Sequence, residues 1–221
     1  MRALTARHLD PGSWLGELLF GLIMTLTFTL GAGIVIEEEG REGVRTMLFA
    51  ILGCNLAWGI IDGVLYVLGR AFERGRLRRV AATARAASDD ARARALIAGE
   101  LDEVLAPVTV EADRDRLYAA MLDSLRTREP VPNRITAEDV RGGLAAGWLV
   151  FACSFPAILP FLFLDDLYVA LRISNVILIA LMFLAGYRLA QRHTLARPWV
   201  AGTLLMLVGV FLVALAIPLG G

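Results

Sequence analysis

The chain contains no lysine, and among its 221 residues there are only two cysteines and two histidines. Cys54 and Cys153 both lie inside apolar stretches, so neither a disulfide framework nor a zinc site is predicted from them. His8 and His193 fall at the ends of predicted membrane helices, where we expect them to be solvated. Chemistry based on lysine, cysteine or histidine is therefore not expected, and oxygen atoms are the expected ligands.

Hydrophobic residues make up 57% of the chain, and the mean hydropathy is +0.63. Both values lie outside the range of a soluble domain and indicate an integral membrane protein. A helix needs about 20 apolar residues to cross the hydrocarbon core of a bilayer. Five segments meet this requirement: 15–36, 47–69, 144–164, 168–190 and 199–219.

The arginines predict the orientation of these spans. Fourteen of the 22 lie between Arg70 and Arg141, two precede the first span, and three lie between the fourth and fifth spans. Arg41, Arg45 and Arg172 fall on the opposite side beside acidic residues. The positive-inside rule then predicts a multi-pass protein of the inner (plasma) membrane with a cytoplasmic N-terminus and an external C-terminus.

We predict an all-α integral membrane protein with five transmembrane helices and a cytoplasmic helical hairpin domain between helices 2 and 3. The second helix is expected to continue to about Ala87. A cap at Ser88 starts the first hairpin helix, and the second runs over about 111–126 with Leu117 facing inward. The predicted segments are an N-terminus at 1–14, helices 1 and 2 at 15–69, the cytoplasmic domain at 70–142, and helices 3 to 5 at 143–221.

One ionisable residue lies deep in the second span. Asp62 is about 8 residues, or about 12 Å, from the cytoplasmic end, too far for its short side chain to reach the headgroups. Asn55, Gly59, Asp62 and Tyr66 share one helix face. A carboxylate at this depth marks an ion or proton site by default, although a structural aspartate bonded to Asn or Tyr is the alternative.

The other spans also carry small and polar residues. Gly21, Thr25 and Thr29 follow one another at four-residue intervals on the first span, with Met24 beside them, a pattern typical of close helix packing that also offers hydroxyl groups. In the third span Pro156 and Pro160 free backbone carbonyls, which can bind an ion or accept from Ser or Thr. The last span has few polar residues, so it is expected at the periphery.

The chain resembles the vacuolar iron transporter family over nearly its whole length. The resemblance is carried by the segment order and by the motifs LGELLFG at 15–21, FPAILPF at 155–161 and GYR at 186–188. Members of that family have two membrane helices, a cytoplasmic helical metal-binding domain and three more helices, and they work as dimers. The resemblance implies a homodimer that exports divalent metal cations, iron or manganese, from the cytoplasm.

Two departures from the family pattern leave the function open. The Asp-Gly pair expected in helix 1 is replaced by the stretch Leu22 to Thr25, while an Asp-Gly pair occurs in helix 2 as Asp62-Gly63. The cytoplasmic domain has few glutamates, among them Glu100 and Glu103, and these are interleaved with arginines. A non-transporting membrane module with a regulatory or partner-binding domain is therefore the alternative to a transporter.

For the transporter, Asp62 and Asn55 supply hard oxygen ligands for Fe²⁺ or Mn²⁺, and Met24 a softer contact. Protonation of Asp62 would release the ion and couple transport to a proton gradient, with no tightly bound cofactor. The predicted metal ligands are Asp62, Asn55, Glu100 and Glu103, and the predicted pathway consists of Asp62, Asn55, Met24, Thr25, Tyr66 and Glu17. The sequence leaves open whether Glu17 belongs to the pathway or only to a helix interface.

An enzyme is not expected. Intramembrane aspartyl proteolysis needs two facing aspartates, and only Asp62 lies at depth; no serine falls in a nucleophile motif. The arginine run from Arg70 to Arg94 lies next to the membrane, so anionic lipid is the expected partner and nucleic acid is not.

Overall fold

The computed structural model describes residue 9 and residues 11–128, 132, 134–192 and 197–216. All regular secondary structure in this part of the chain is helical. The helices are α1 (Pro11–Glu39), α2 (Arg41–Ala86), α3 (Asp90–Leu105), α4 (Glu111–Thr127), α5 (Ala137–Ala152), α6 (Phe155–Phe163), α7 (Leu167–Arg192) and α8 (Pro198–Ala216).

Four stretches are long and apolar enough to cross a membrane: Pro11–Leu30 within α1, α2, Ala137–Phe163 comprising α5 and α6, and α7. This agrees with an α-helical membrane protein. The fifth predicted span, 199–219, reaches beyond the described residues, and its apolar stretch Pro198–Phe211 is shorter than the four spanning stretches. His8, His193 and the first residues of the predicted N-terminal segment also lie outside the described residues.

The chain divides into two compact units. One consists of residues 1–67 together with 137–221 and contains the membrane-spanning candidates; we call it the bundle unit. The other covers residues 68–136 and is called the three-helix unit. The first boundary between the units falls inside α2, before residue 68 and close to the predicted boundary at residue 70. The second falls after residue 136, six residues before the predicted boundary at 142.

In the bundle unit, α1 and the first part of α2 form an antiparallel hairpin. Gly40 between them adopts a φ of +60°, in the left-handed region where glycine avoids the steric cost of a Cβ. Next to this turn, Ile36, Val44, Met47 and Ile51 are buried together with Leu171 of α7. A second apolar cluster includes Leu22 and Leu26 of α1 with Leu178 and Met182 of α7, so α1 packs along most of its length.

The third predicted span is broken. α5 ends at Ala152, Cys153 and Ser154 form a turn, and α6 begins at Phe155 with Pro156 in its first turn. Proline lacks an N–H, so it cannot donate to the carbonyl four residues earlier, and a helix tolerates it best at its own start. The predicted proline effect thus takes the form of a complete break between two helices.

α8 packs against α7 through small residues. A Cβ placed on Gly186 would lie 2.9 Å from the Ala201 carbonyl, and one on Gly202 would lie 2.9 Å from the Phe183 carbonyl. The two backbones therefore approach closely. The outer face of α8 stays exposed, including Trp199, Leu204, Leu207 and Phe211.

The three-helix unit differs from the predicted two-helix hairpin. Ala84, near the end of α2, is buried with Ala93 and Ile97 of α3 and with Tyr118 and Leu122 of α4. The last turns of α2 thus pack against the predicted hairpin as a third helix, and the three helices share a small core.

Two local predictions for this unit are wrong. Leu117, predicted to face inward, is 42% exposed, and the neighbouring Tyr118 is buried instead. The cap of α3 is Asp89 rather than Ser88: its side chain accepts a hydrogen bond from the Ala91 N–H at 3.0 Å. An aspartate at this position satisfies a free N–H and also places negative charge at the positive end of the helix.

Candidate functional site

The candidate site lies in the bundle unit, on the polar face of α2 where it meets α1 and α5. Because α1 and α2 run antiparallel, residues further along α1 meet residues that lie, turn by turn, earlier on α2. The pairs are Glu17 with Asp62, Phe20 with Trp58, Met24 with Cys54, and Thr25 with Asn55.

The first pair brings two carboxyl groups together. Glu17 and Asp62 are both partly buried, and their side chains are in hydrogen-bonding contact. Since a carboxylate oxygen can only accept, a hydrogen bond between two carboxyl groups requires a proton on one of them. Asp62 Oδ2 is buried, and no N–H or hydroxyl group among the described residues donates to it. This arrangement can exchange a proton for a cation.

The Thr25–Asn55 pair is fully buried. The Thr25 hydroxyl donates to the Gly21 carbonyl at 2.8 Å and accepts from Asn55 Nδ2 at 2.8 Å. Asn55 Nδ2 also donates to the Val150 carbonyl at 3.4 Å, next to the break between α5 and α6. A flipped amide would turn its oxygen toward the Val150 carbonyl, which only accepts, so these contacts fix the amide orientation.

The fixed orientation leaves Asn55 Oδ1 buried with no hydrogen-bond partner among the described residues. Burying an unpaired acceptor costs about 1–3 kcal/mol. The site can recover this free energy by binding a cation or a water molecule. Asn55 thus links the two helices to α5 through its donors, while its buried oxygen keeps an unpaired lone pair.

Met24 lies on the flank of this pair. Its thioether sulfur is 3.3 Å from the Cys54 thiol sulfur, and one helical turn away Phe20 contacts Trp58 edge to face at 5.3 Å between ring centroids. Phe20 and Trp58 are each about 40% exposed. No chemistry is predicted for Cys54, and no pattern in the sequence indicates that it meets Met24 until the α1–α2 register is known.

Glycines bring α5 close to the polar face of α2. A Cβ on Gly59 would lie 2.5 Å from the Gly147 carbonyl oxygen, and a Cβ on Gly63 would lie 2.7 Å from that of Gly143. The ring of Tyr66 lies against Gly142. The backbone of α5 therefore covers the polar face of α2 from residue 55 to residue 66.

The predicted pathway residues are thus arranged in levels rather than around one point. Asn55 and Asp62 are seven residues apart, about 10 Å along the helix axis. Both side chains lean toward the helix N-terminus, so this separation persists at their oxygens. Two oxygens of one bound cation, each about 2.0–2.6 Å from it, lie much closer together. The carboxyl partner of Asp62 is Glu17, and Asn55 stands on a second level.

In the three-helix unit, the predicted acidic ligands have arginine partners or face solvent. Glu100 forms an ion pair with Arg76, which also contacts Glu73 at 2.8 Å. Glu103 is exposed. Within the described part of the chain no three His, Cys, Asp or Glu side chains are grouped closely enough to hold a metal ion. Glu100 thus takes part in a surface ion-pair network, and Glu103 faces solvent.

Tyr118 links the two acidic helices of this unit. Its hydroxyl donates to Asp102 Oδ1 at 2.6 Å, and Arg114 Nε lies 3.0 Å from the same oxygen. Burial, the hydrogen bond to Asp102 and the charge of Asp102 raise the pKa of Tyr118 above its ordinary value, while Arg114 acts in the opposite direction. The neutral phenol therefore matches this environment better than the phenolate does.

The comparisons with known proteins do not assign the chain to a family. No protein-family model matches it. No curated protein matches it, and no solved structure does so either.

Proposed function

We propose that this chain is a divalent metal cation transporter that moves Fe²⁺ or Mn²⁺ out of the cytoplasm in exchange for protons. The observation that supports this most directly is the contact between the carboxyl groups of Glu17 and Asp62 inside candidate membrane spans. Ionisable groups at membrane depth are costly, and they commonly mark ion or proton pathways.

The charges of Glu17 and Asp62 explain why a cation is exchanged for a proton. With one shared proton the two carboxyl groups carry a single negative charge. A divalent cation that binds both groups displaces the proton, which leaves a dianion opposite two positive charges. Reprotonation of either carboxyl group weakens the site and releases the cation. Oxygen ligands of this type suit Mn²⁺ and Fe²⁺ among the first-row metals.

The order of the helices supports a place beside the vacuolar iron transporters. α1 and α2 precede a helical unit, and α5 to α8 follow it. On this proposal α8 is the fifth span, the three-helix unit is cytoplasmic, and the protein works as a homodimer in the inner membrane. The ion pairs in the three-helix unit favour a structural or regulatory role there over storage of metal ions.

Flux measurements test the function. Purified protein in proteoliposomes should carry Mn²⁺ or Fe²⁺, faster with an opposing proton gradient. Asp62→Asn and Glu17→Gln should each reduce flux to the level of protein-free vesicles, because either change removes one charge that the cation needs. Asp165→Asn is the matched control, since this carboxylate is exposed and pairs with Arg41 at 3.2 Å.

The outcomes separate the two candidate functions. Loss of flux in both carboxyl variants, with Asp165→Asn unaffected, supports the cation site and includes Glu17 in it. Flux that survives Glu17→Gln limits the site to Asp62. Wild-type protein that is folded and carries none of these ions contradicts the transporter and favours a non-transporting module, whose partner would then be sought at the three-helix unit.

A further inference from the structure

Asn55 lies buried in the bundle unit, where α1, α2 and α5 meet. Asn55 is 0% exposed, and its Oδ1 has no hydrogen-bond partner among the described residues. Both donors of its Nδ2 are used, on Thr25 and on Val150. The oxygen therefore cannot exchange places with the nitrogen and stays available as an acceptor.

The neighbours of Asn55 limit which groups can bind to its Oδ1. Val150 O already accepts from Asn55 Nδ2 and from the Cys153 N–H, so both of its lone pairs are used. The Thr25 hydroxyl donates to Gly21 O and accepts from Asn55, which leaves it one lone pair. The residues that hydrogen-bond to the Asn55 side chain therefore offer neutral oxygen atoms and carry no formal charge.

We propose that Asn55 Oδ1 is the protein ligand of a second, neutral subsite that takes the same divalent cation in a partly hydrated form, about two helical turns from the Glu17–Asp62 pair. This inference rests on the proposed function. Conduction requires sites that bind well enough for the ion to enter and weakly enough for it to leave. The carboxyl pair binds the ion strongly enough for it to enter, and a neutral carboxamide oxygen binds it weakly enough for it to leave.

Separate measurements of binding and flux test the subsite. Equilibrium Mn²⁺ binding to protein in detergent reports the carboxyl pair, and Mn²⁺ flux into proteoliposomes reports passage. Asn55→Leu has a similar size and removes the oxygen. It should leave Mn²⁺ binding within about twofold of wild type while flux falls about tenfold or more, since each factor of ten reflects a higher barrier on the path. Thermal stability of the variant confirms that it is folded.

A second variant keeps the test decisive if Asn55→Leu does not fold. Asn55→Asp preserves the shape, replaces the group that donates to Thr25 and Val150 by a second oxygen, and adds a charge, which turns the weak subsite into a strong one. Both the maximal flux and the Mn²⁺ concentration at half-maximal flux should then fall, because the ion enters readily and leaves slowly. A purely structural asparagine gives no reason for the half-maximal concentration to fall, so an unchanged or higher value overturns the subsite.

Ser174→Ala is the matched control. Ser174 of α7 is also 0% exposed, and its Oγ also has no partner among the described residues, yet it lies on a helix outside the α1–α2 pairs. Flux should be unchanged in this variant, whereas an equal loss would show general sensitivity of the bundle and overturn the proposal. Wild-type flux with undiminished flux in Asn55→Leu refutes the subsite alone, while absent wild-type flux refutes the transporter together with it.

Discussion

Asn55 and Asp62 look equivalent in the sequence because they share one face of a helix, yet their neighbours give them different chemistry. Asp62 meets a second carboxyl group, Glu17, and can hold a proton or a cation. Asn55 uses both donors on neutral oxygens and keeps one acceptor unpaired. At the scale of the residue, function follows from the partner on the opposite helix, and only the helix register reveals that partner.

Tyr118 gives a prediction about pH at the same scale. Its pKa is raised in the folded state, chiefly by burial and by its hydrogen bond to Asp102. The fold therefore favours the protonated phenol, and its contribution to the free energy of unfolding is complete below the ordinary pKa, near 10. This contribution is lost as the pH rises through the higher folded-state value.

The comparison of wild type with Tyr118→Phe measures this effect. Thermal unfolding of the wild type should weaken more steeply at alkaline pH than that of the variant, which has no phenol to ionise. Tyrosinate absorbance should show that the tyrosine lost in the variant is one that titrates above its ordinary range. Parallel pH profiles for the two proteins would contradict the assigned environment of Tyr118.

At the scale of the element, the contact of α2 with α5 depends on two pairs of glycines four residues apart. Gly59 and Gly63 face Gly147 and Gly143, and a Cβ at any of these four positions would meet backbone atoms at 2.3–2.7 Å. Backbone cannot move aside as a flexible side chain can. Small residues at this spacing let membrane helices approach closely and replace the hydrophobic effect, which is weak between helices in lipid.

Gly59→Ala tests this contact. The added methyl group must push α5 away from α2, and overpacking of this kind costs about 1–3 kcal/mol. The variant should lose thermal stability in detergent, and cation flux should fall with it because Asn55 and Asp62 flank the contact. Gly53→Ala on the same helix is the matched control, since nothing lies within 4 Å of a Cβ there.

The control should be neutral or slightly stabilising, by up to about 1 kcal/mol, because alanine favours a helix more than glycine does. Equal stability of Gly59→Ala and Gly53→Ala would show that α2 and α5 are not in close contact at this point.

At the scale of the whole molecule, sequence reasoning predicted the class of fold, and it failed where tertiary contacts decide. Periodicity and composition predicted membrane helices and the polar face around Asp62. They predicted that α2 continues to about Ala87 but missed its packing in the three-helix unit, because the arginine-rich end of α2 gives no sign that Ala84 packs on Ile97 and Tyr118. They also placed Asp62 and Asn55 at one metal site, because a shared helix face does not reveal which of the two residues meets Glu17.

The topology of the whole molecule carries the last prediction. The distribution of arginine predicts five spans with the α1–α2 turn and the C-terminus outside and residues 70–142 inside. In a variant with Cys54 and Cys153 replaced by serine, single cysteines at the exposed positions Glu38 and Glu103 report the two sides. In intact cells a membrane-impermeant thiol reagent should label Glu38→Cys and leave Glu103→Cys unlabelled until the membrane is permeabilised.

An epitope tag at the C-terminus then determines the number of spans. The tag should be accessible in intact cells if α8 crosses the bilayer, and only after permeabilisation if it does not. The second result, with the cysteines labelled as predicted, leaves four crossings and contradicts the proposed relation to the five-helix transporters. Because the carboxyl pair of Glu17 and Asp62 lies on α1 and α2, it would remain within membrane helices in either case, so the flux experiment stays independent of this outcome.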